Sequence, residues 1–323
     1  MRILYLVVAL VLQFCVVDVE AGLFRGLSFI VDGQQRSYDL YVPSKVGNQS
    51  RPLVLMFHGH FGSSDVMTGA NGKKAPYKLW LEIAEKENIL VAVPNGENGS
   101  DDKRGWNDCR ADSTTNPTTD DVKFTLQLID AIHQQFPVDR SRIYATGTSN
   151  GGNMVLRLAM EVPDTFAAVA AIVASNPMQS ECKEKRRPIP VLFMNGTDDP
   201  LLPYLGGEVG DSKHGRGKAL STPLSVDYWL KVNGLRNDPV KYDFPDLDKN
   251  DKSTVTRLSY GTGKHINEVV LYKVLHGGHT EPSRKEHYRR LYKRIVGSQN
   301  YDIEMAEEVW QFFKAKMRKH ENK

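Results

Sequence analysis

Apolar positions along the chain repeat at two spacings, and the switches between them mark the elements. Gly26 to Pro43 alternates as a hairpin. Leu27, Phe29 and Val31, then Tyr38, Leu40 and Val42, hold every second position around a turn at Asp32-Gly33. Leu53 to Phe57 and Ile89 to Val93 are unbroken apolar runs, the pattern of strands covered on both faces, and they stop at His58-Gly59 and Pro94. Leu79 to Glu87 predicts a helix. Asp120 opens another, with Val122, Leu126, Leu128, Ile129 and Ile132 near helical spacing. Further strands are expected at Arg142 to Thr146, Phe166 to Val173, Ile189 to Met194 and Glu268 to Val274. Further helices are expected at Asn150 to Glu161, Ser225 to Val232 and Met305 to Lys316. Residues 95–118 are polar and rich in Gly, Asn, Asp and Thr, and predict a long loop. Residues 236–265 are polar and rich in Asp and Lys, and predict a surface excursion.

Strands alternating with helices imply an α/β fold. The expected architecture is a mostly parallel central sheet with helices on both faces, entered through an antiparallel hairpin. There is no internal repeat and no break in composition, so one domain is expected from residue 22 to 323. The first residues read differently. A positive start at Met1-Arg2 precedes an apolar run from Ile3 to Val17, and Val19-Glu20-Ala21 carries small residues where a signal peptidase cuts. Residues 1–21 therefore predict a secretory signal peptide. The mature protein is expected to be extracellular or periplasmic, with no stable membrane association. Of three cysteines, Cys15 falls in this leader, leaving Cys109 and Cys182 to form one disulfide in an oxidising compartment.

The charge balance, 42 Lys+Arg against 39 Asp+Glu, is close to even, and the basic residues are spread along the 323-residue chain. The clusters at 183–187 and 284–294 read as solvated faces, and nucleic-acid binding is not suggested.

The chemistry concentrates at Gly147-Thr148-Ser149-Asn150-Gly151, between a predicted strand and a predicted helix. Such a turn lifts the serine above the sheet at a helix N-terminus, and it is so tight that side chains at Gly147 and Gly151 would collide with backbone. A serine nucleophile needs a base, and the base needs an orienting acid. The strand ending at Met194 is followed by Asp198-Asp199, and the strand ending at Val274 by His276-Gly277-Gly278-His279. The order serine, acid, histidine on loops after strands is that of a Ser-Asp-His hydrolase. His279 is preferred over His276 because two glycines let its loop fold back. Asp199 is preferred over Asp198 for its longer reach from the strand end. The oxyanion donors are expected to be the Asn150 N–H and one from Gly59-His60-Phe61-Gly62, with His60 first and Phe61 second.

These residues resemble the secreted esterases of the polyhydroxybutyrate depolymerase-like and feruloyl-esterase-like family, within the α/β-hydrolase superfamily. The resemblance rests on Phe57-His58-Gly59, Gly105-Trp106-Asn107-Asp108-Cys109, Asp120-Asp121-Val122, the serine turn, Asn195 to Pro200, Pro203-Tyr204 and Gly277-Gly278-His279. It implies a triad of Ser149, Asp199 and His279, and a substrate-binding role for Tyr204. The family often carries an aromatic residue two positions after the histidine, where this chain has Glu281. It implies hydrolysis of small or oligomeric carboxylic esters with no cofactor and no metal. The disulfide would also fix Trp106, three residues upstream of Cys109, as a candidate aromatic wall of the substrate site; the alternative is that Trp106 is core.

Three other readings compete. His58-x-His60 and His276-x-x-His279 could ligate a metal with Asp198 and Asp199, although no His-Glu-x-x-His motif is present. A serine peptidase would share the triad, and a non-catalytic binding protein could keep the scaffold.

Overall fold

In the computed structural model, which describes residues 21–45, 49–72, 75–210, 215–261 and 267–318, the apolar runs become strands of one sheet. The strands are β1 (Gly22–Val31), β2 (Gln34–Val42), β3 (Arg51–Phe57), β4 (Leu90–Pro94), β5 (Glu97–Asn98), β6 (Arg104–Gly105), β7 (Val138–Thr148), β8 (Ala168–Ile172), β9 (Val191–Gly196), β10 (Gly207–Glu208), β11 (Lys218–Ala219), β12 (Val240–Asp243), β13 (Thr254–Tyr260) and β14 (Val269–Leu275). The helices are α1 (Ser64–Thr68), α2 (Leu79–Glu87), α3 (Asp121–Gln135), α4 (Asn150–Glu161), α5 (Thr222–Asn233), α6 (Arg290–Val296) and α7 (Met305–Lys314). Residues 1–20 of the expected leader lie outside the described residues. Among the described residues no helix is long and apolar enough to cross a membrane.

The central sheet has the order β1-β2-β4-β3-β7-β8-β9-β14-β13-β12. The six strands from β4 to β14 run parallel, flanked on each edge by antiparallel pairs. The expected hairpin forms, and Asp32 (φ 49°) and Gly33 (φ 80°) supply the positive φ values of a type I′ turn. The period-2 geometry of β3 sends Leu53, Leu55 and Phe57 to the face covered by α3, α4 and α5, and Val54 and Met56 to the face covered by α2 and α7. On the second face Tyr144 stacks on Phe313 at 4.9 Å, and its hydroxyl donates to the Lys316 carbonyl at 2.7 Å, so α7 is fastened to the central strand β7. This is an α/β-hydrolase fold.

The described part of the region 236–265, residues 236–261, corrects the sequence reading, and 262–265 lie outside the described residues. It is not merely a surface excursion: β12 and β13 extend the sheet, with β13 paired to β14 from Thr254↔Leu275 to Tyr260↔Val269. All four residues of β12 are exposed, so no alternation of burial marks it. An edge strand is held by backbone hydrogen bonds, which periodicity does not report.

The parallel sheet brings the loops that carry the candidate residues to one edge. β7, β9 and β14 all end at its carboxyl edge, the usual place for a ligand crevice in such sheets. The pairing of Val274 with Gly196 sets the loops after β9 and β14 side by side. The Asp198 N–H then donates to the Gly277 carbonyl at 2.9 Å. A side chain on Gly196 would lie 2.3 Å from that same carbonyl oxygen, so the approach requires glycine there.

Candidate active site

Ser149 sits between β7 and α4 with φ 54° and ψ −124°, a strained conformation for a residue with a side chain. Backbone held this way costs on the order of 1–3 kcal/mol and persists only where the surroundings enforce it. They do so here by close approach. A Cβ on Gly147 would lie 2.5 Å from the Gly151 carbonyl oxygen, and one on Gly151 would lie 2.2 Å from that of Phe57. The Ser149 N–H donates to Ile172 of β8 at 2.9 Å, and its carbonyl accepts the first helical bond, from Asn153, at 2.9 Å. The serine is thus lifted to the N-terminus of α4, where the helix dipole favours negative charge.

The two Asp-His candidates resolve into two separate pairs. His279 Nδ1 lies 2.7 Å from Asp199 Oδ2, with both side chains nearly inaccessible. The other Asp199 oxygen accepts from the N–H groups of Leu201 and Leu202, each at 2.8 Å. His276 Nδ1 lies 3.1 Å from Asp198 Oδ2, and both side chains are more than half exposed. Burial alone would depress the His279 imidazole. The Asp199 charge and hydrogen bond, with a further contribution from Glu281, outweigh burial and the opposing Arg216, and hold it above the ordinary histidine value.

The loop after β3 lies against the serine: a Cβ on Gly59 would sit 3.4 Å from Ser149 Cβ. His58 shapes this loop. Its ring is buried, accepts from the Gly96 N–H at 3.0 Å through Nε2, and donates through Nδ1 to the Gly59 carbonyl at 2.8 Å. Burial pushes its pKa down to about 4, which keeps the ring neutral. The Phe61 N–H is taken up by the Arg104 carbonyl at 3.0 Å. His60 points elsewhere, its Nε2 2.9 Å from Asp101 Oδ2. Of the four histidines that could have ligated a metal, His58 is engaged with Gly59 and Gly96, His60 with Asp101, His276 with Asp198 and His279 with Asp199. Among the described residues the single cluster with metal-ligand geometry is Cys109, Glu161 and Cys182, two of which are disulfide-bonded.

Residues 32–210 match the family model Esterase, described as "Putative esterase". The chain belongs to the esterase family. It is 28% identical over 292 residues, 88% of this chain and 80% of the relative, to "Putative esterase NocK" of Nocardia uniformis subsp. tsuyamanensis. It is 30% identical over 172 residues to "Probable feruloyl esterase C" of Aspergillus flavus, which covers 53% of this chain and 58% of that one. It is 26% identical over 174 residues to the "Bifunctional acetylxylan esterase/xylanase XynS20E" of Neocallimastix patriciarum, covering 53% of this chain and 22% of that one. The crystal structure of a thermostable esterase superposes with a TM-score of 0.52 at 17% identity, covering 91% of this chain and 63% of that one, a likeness of fold. The protein is a carboxylic ester hydrolase.

In the esterase, Trp106 corrects an expectation. Its side chain has no exposed surface. The indole N–H donates to the His58 carbonyl at 2.8 Å, and the ring packs edge-on against Phe57 at 5.0 Å. It buttresses the loop after β3 from inside and offers no wall to a substrate. Tyr204 lies half-buried on the loop that carries Asp199, with Lys273 Nζ 5.8 Å from its ring centroid; burial raises its pKa to about 12.

Two buried acids were missed as site-building residues. Asp108 accepts from Arg110 (2.7 Å), Asn116 (2.6 Å) and the Asn150 side chain (2.7 Å). The Asn150 Oδ1 in turn accepts from the Trp106 N–H at 2.6 Å, so the residue after the serine is pinned by its side chain while its N–H stays at the helix start. Asp121 pairs with Arg36 at 2.7 Å and accepts from the Asn107 N–H at 2.8 Å, holding the same loop from its other side. Their signal was present in the motifs quoted above, but spacing alone does not show what they grip.

Cys109 and Cys182 are joined, with Cα atoms 5.3 Å apart. The bond closes a separation of 73 residues and ties the Asp108 loop to the segment before β9. The Cys109→Ser, Cys182→Ser double variant is expected to lose about 4 kcal/mol of stability on the chain-entropy model, or about 10 °C in Tm. Thermal scans with and without reductant check this: a reductant-insensitive Tm in the parent enzyme would contradict it.

Proposed function

We propose that the enzyme is a secreted serine esterase using Ser149 as nucleophile, His279 as base and Asp199 as orienting acid, through an acyl-enzyme intermediate. Ser149 Oγ attacks the ester carbonyl while His279 Nε2 takes its proton. Asp199 holds the Nδ1–H and stabilises the imidazolium that forms. The tetrahedral oxyanion is met by the N–H groups of Asn150 and His60, and the alcohol leaves with the proton from His279. Water then repeats the sequence on the acyl-enzyme. The observation that carries this reading is the buried Asp199-His279 pair, whose acid is fixed by two backbone N–H groups, on loops at the same sheet edge as a serine in strained backbone. Support for His60 over Phe61 comes from the Phe61 N–H, already spent on Arg104.

The substrate class follows the names of the relatives: small or oligomeric esters of feruloyl or acetyl type, with hydroxybutyrate oligomers as the comparison substrate. The test is a pH series on 4-nitrophenyl acyl esters, methyl ferulate and hydroxybutyrate oligomers. The base must be neutral to act, and the His279 pKa lies above its ordinary value of 6.5, so kcat/KM is expected to climb through a midpoint above pH 6.5 to a plateau. The raised pKa has the opposite sign for stability. Protonated His279 stabilises the fold fully below the unfolded value near 6.5, and this contribution is lost as pH rises through the folded pKa. No hydrolysis of any of the three, or an optimum near pH 4, would overturn the reading.

A further inference from the structure

Two residues beyond His279 lies a carboxylate that the triad does not use. Glu281 is buried, 5% exposed, and its oxygens are divided between two donors. Oε1 accepts from the hydroxyl of Thr148, the residue immediately before the nucleophile, and Oε2 accepts from the Tyr288 hydroxyl. Its backbone carbonyl accepts from Gln299 Nε2 at 2.9 Å. The neighbouring Thr280 hydroxyl donates to the Ser298 carbonyl at 2.6 Å, and the His279 N–H to the Val296 carbonyl at 2.5 Å. The histidine loop is therefore anchored on one side to the end of α6 and the segment after it, and through Glu281 on the other side to the serine turn. No cation pairs with Glu281 among the described residues. A buried carboxylate is costly without compensating partners, and among the described residues the side-chain donors that meet it are hydroxyls.

We propose that Glu281 is a positioning residue and the second anion of the catalytic centre: it clamps the serine turn to the histidine loop and holds negative charge beside the imidazole that must become positive during the reaction. The proposal rests on His279 being the base. Asp199 and Glu281 face His279 with negative charge, and Arg216 faces it with positive charge. Around Glu281 itself stand Tyr77 from the turn before α2, Tyr288 from the segment after His279, Tyr292 from α6, and Thr148 at the end of β7. Burial first, and then the Glu281 charge, raise all three tyrosines, so they remain neutral hydroxyls across the working range. The same charge contributes to the raised His279 pKa. A group that stabilises imidazolium lowers the barrier as the serine proton arrives, and it also moves the pH at which the base becomes available upward.

Glu281→Gln separates charge from shape, since the amide fills the same space and can still bond to Thr148 and Tyr288. The acid limb of kcat/KM is expected to move to lower pH by about half to one unit, and the plateau to fall by up to about tenfold, the equivalent of that shift. KM and Tm should change little. Thr148→Val cuts the clamp and keeps the charge, so it is expected to lower kcat with the limb unmoved. This arm stands whether or not the glutamine variant folds. A folded Glu281→Gln enzyme with an unshifted acid limb overturns the electrostatic role, and full kcat in Thr148→Val overturns the clamp. Phosphonate labelling distinguishes these failures from failure of the triad reading. If Ser149 is labelled in the parent enzyme while both variants behave as parent, only the role of Glu281 falls.

Discussion

Replacing Ser149 with alanine is expected to lower kcat for ester hydrolysis by about 10⁴- to 10⁶-fold and to leave the fold intact. If Ser149, His279 and Asp199 act as a triad, the loss is large because a triad acts as a unit: with no nucleophile, the base has nothing to deprotonate, and the oxyanion donors can only assist direct attack by water. The fold should survive because the serine hydroxyl is not what holds the turn. Gly147 and Gly151, pressed against the Gly151, Phe57 and His58 carbonyls, set its shape, and the Ser149 N–H bond to Ile172 does not involve the side chain. Steady-state kinetics on an activated aryl ester, with a melting curve beside them, make the measurement. Retention of even a tenth of parental activity would remove Ser149 from the mechanism.

Asp199→Asn is expected to lower kcat by about 10⁴-fold, whereas Asp198→Asn should change it by less than about threefold. An asparagine at 199 can present its amide N–H to His279 and favour the wrong tautomer, leaving Nε2 protonated and unable to act as base. At 198 the same change breaks only an exposed pair, in which both Asp198 and His276 face water. The hydrogen bonds from His276 and Thr197 hold the Asp198 carboxyl below its usual range, an effect that solvent and salt reduce at so exposed a site. A reversed pattern would mean that the working acid is Asp198, which would require the loop after β9 to rearrange on binding substrate.

The strand and helix pattern was legible wherever one face or both faces of an element met the core. β3 and β4 were visible as unbroken apolar runs, and the helix Asn150–Glu161 was read with both of its ends. β12 was invisible because its residues are exposed and its stability comes from pairing with β13. Trp106 was misassigned for a related reason. A tryptophan in a polar loop looks available, and the sequence cannot say that the indole N–H finds the His58 carbonyl 48 residues away.

By itself the sequence determined whatever depends on local backbone rules and side-chain volume. The glycines of the serine turn, the hairpin turn at Asp32-Gly33, the order of serine, acid and histidine, and the class of fold all follow from spacing, φ preference and apolar periodicity. Only the tertiary structure decided which groups meet. It paired His279 with Asp199 and His276 with Asp198, closed the Arg36-Asp121 pair across 85 residues, and laid Glu281 against Thr148 across 133. Each of these choices turns on a hydrogen bond between chemically interchangeable partners. Their selection depends on the register of parallel strands and on which carboxylates are taken out of water, and neither is encoded at any fixed separation along the chain.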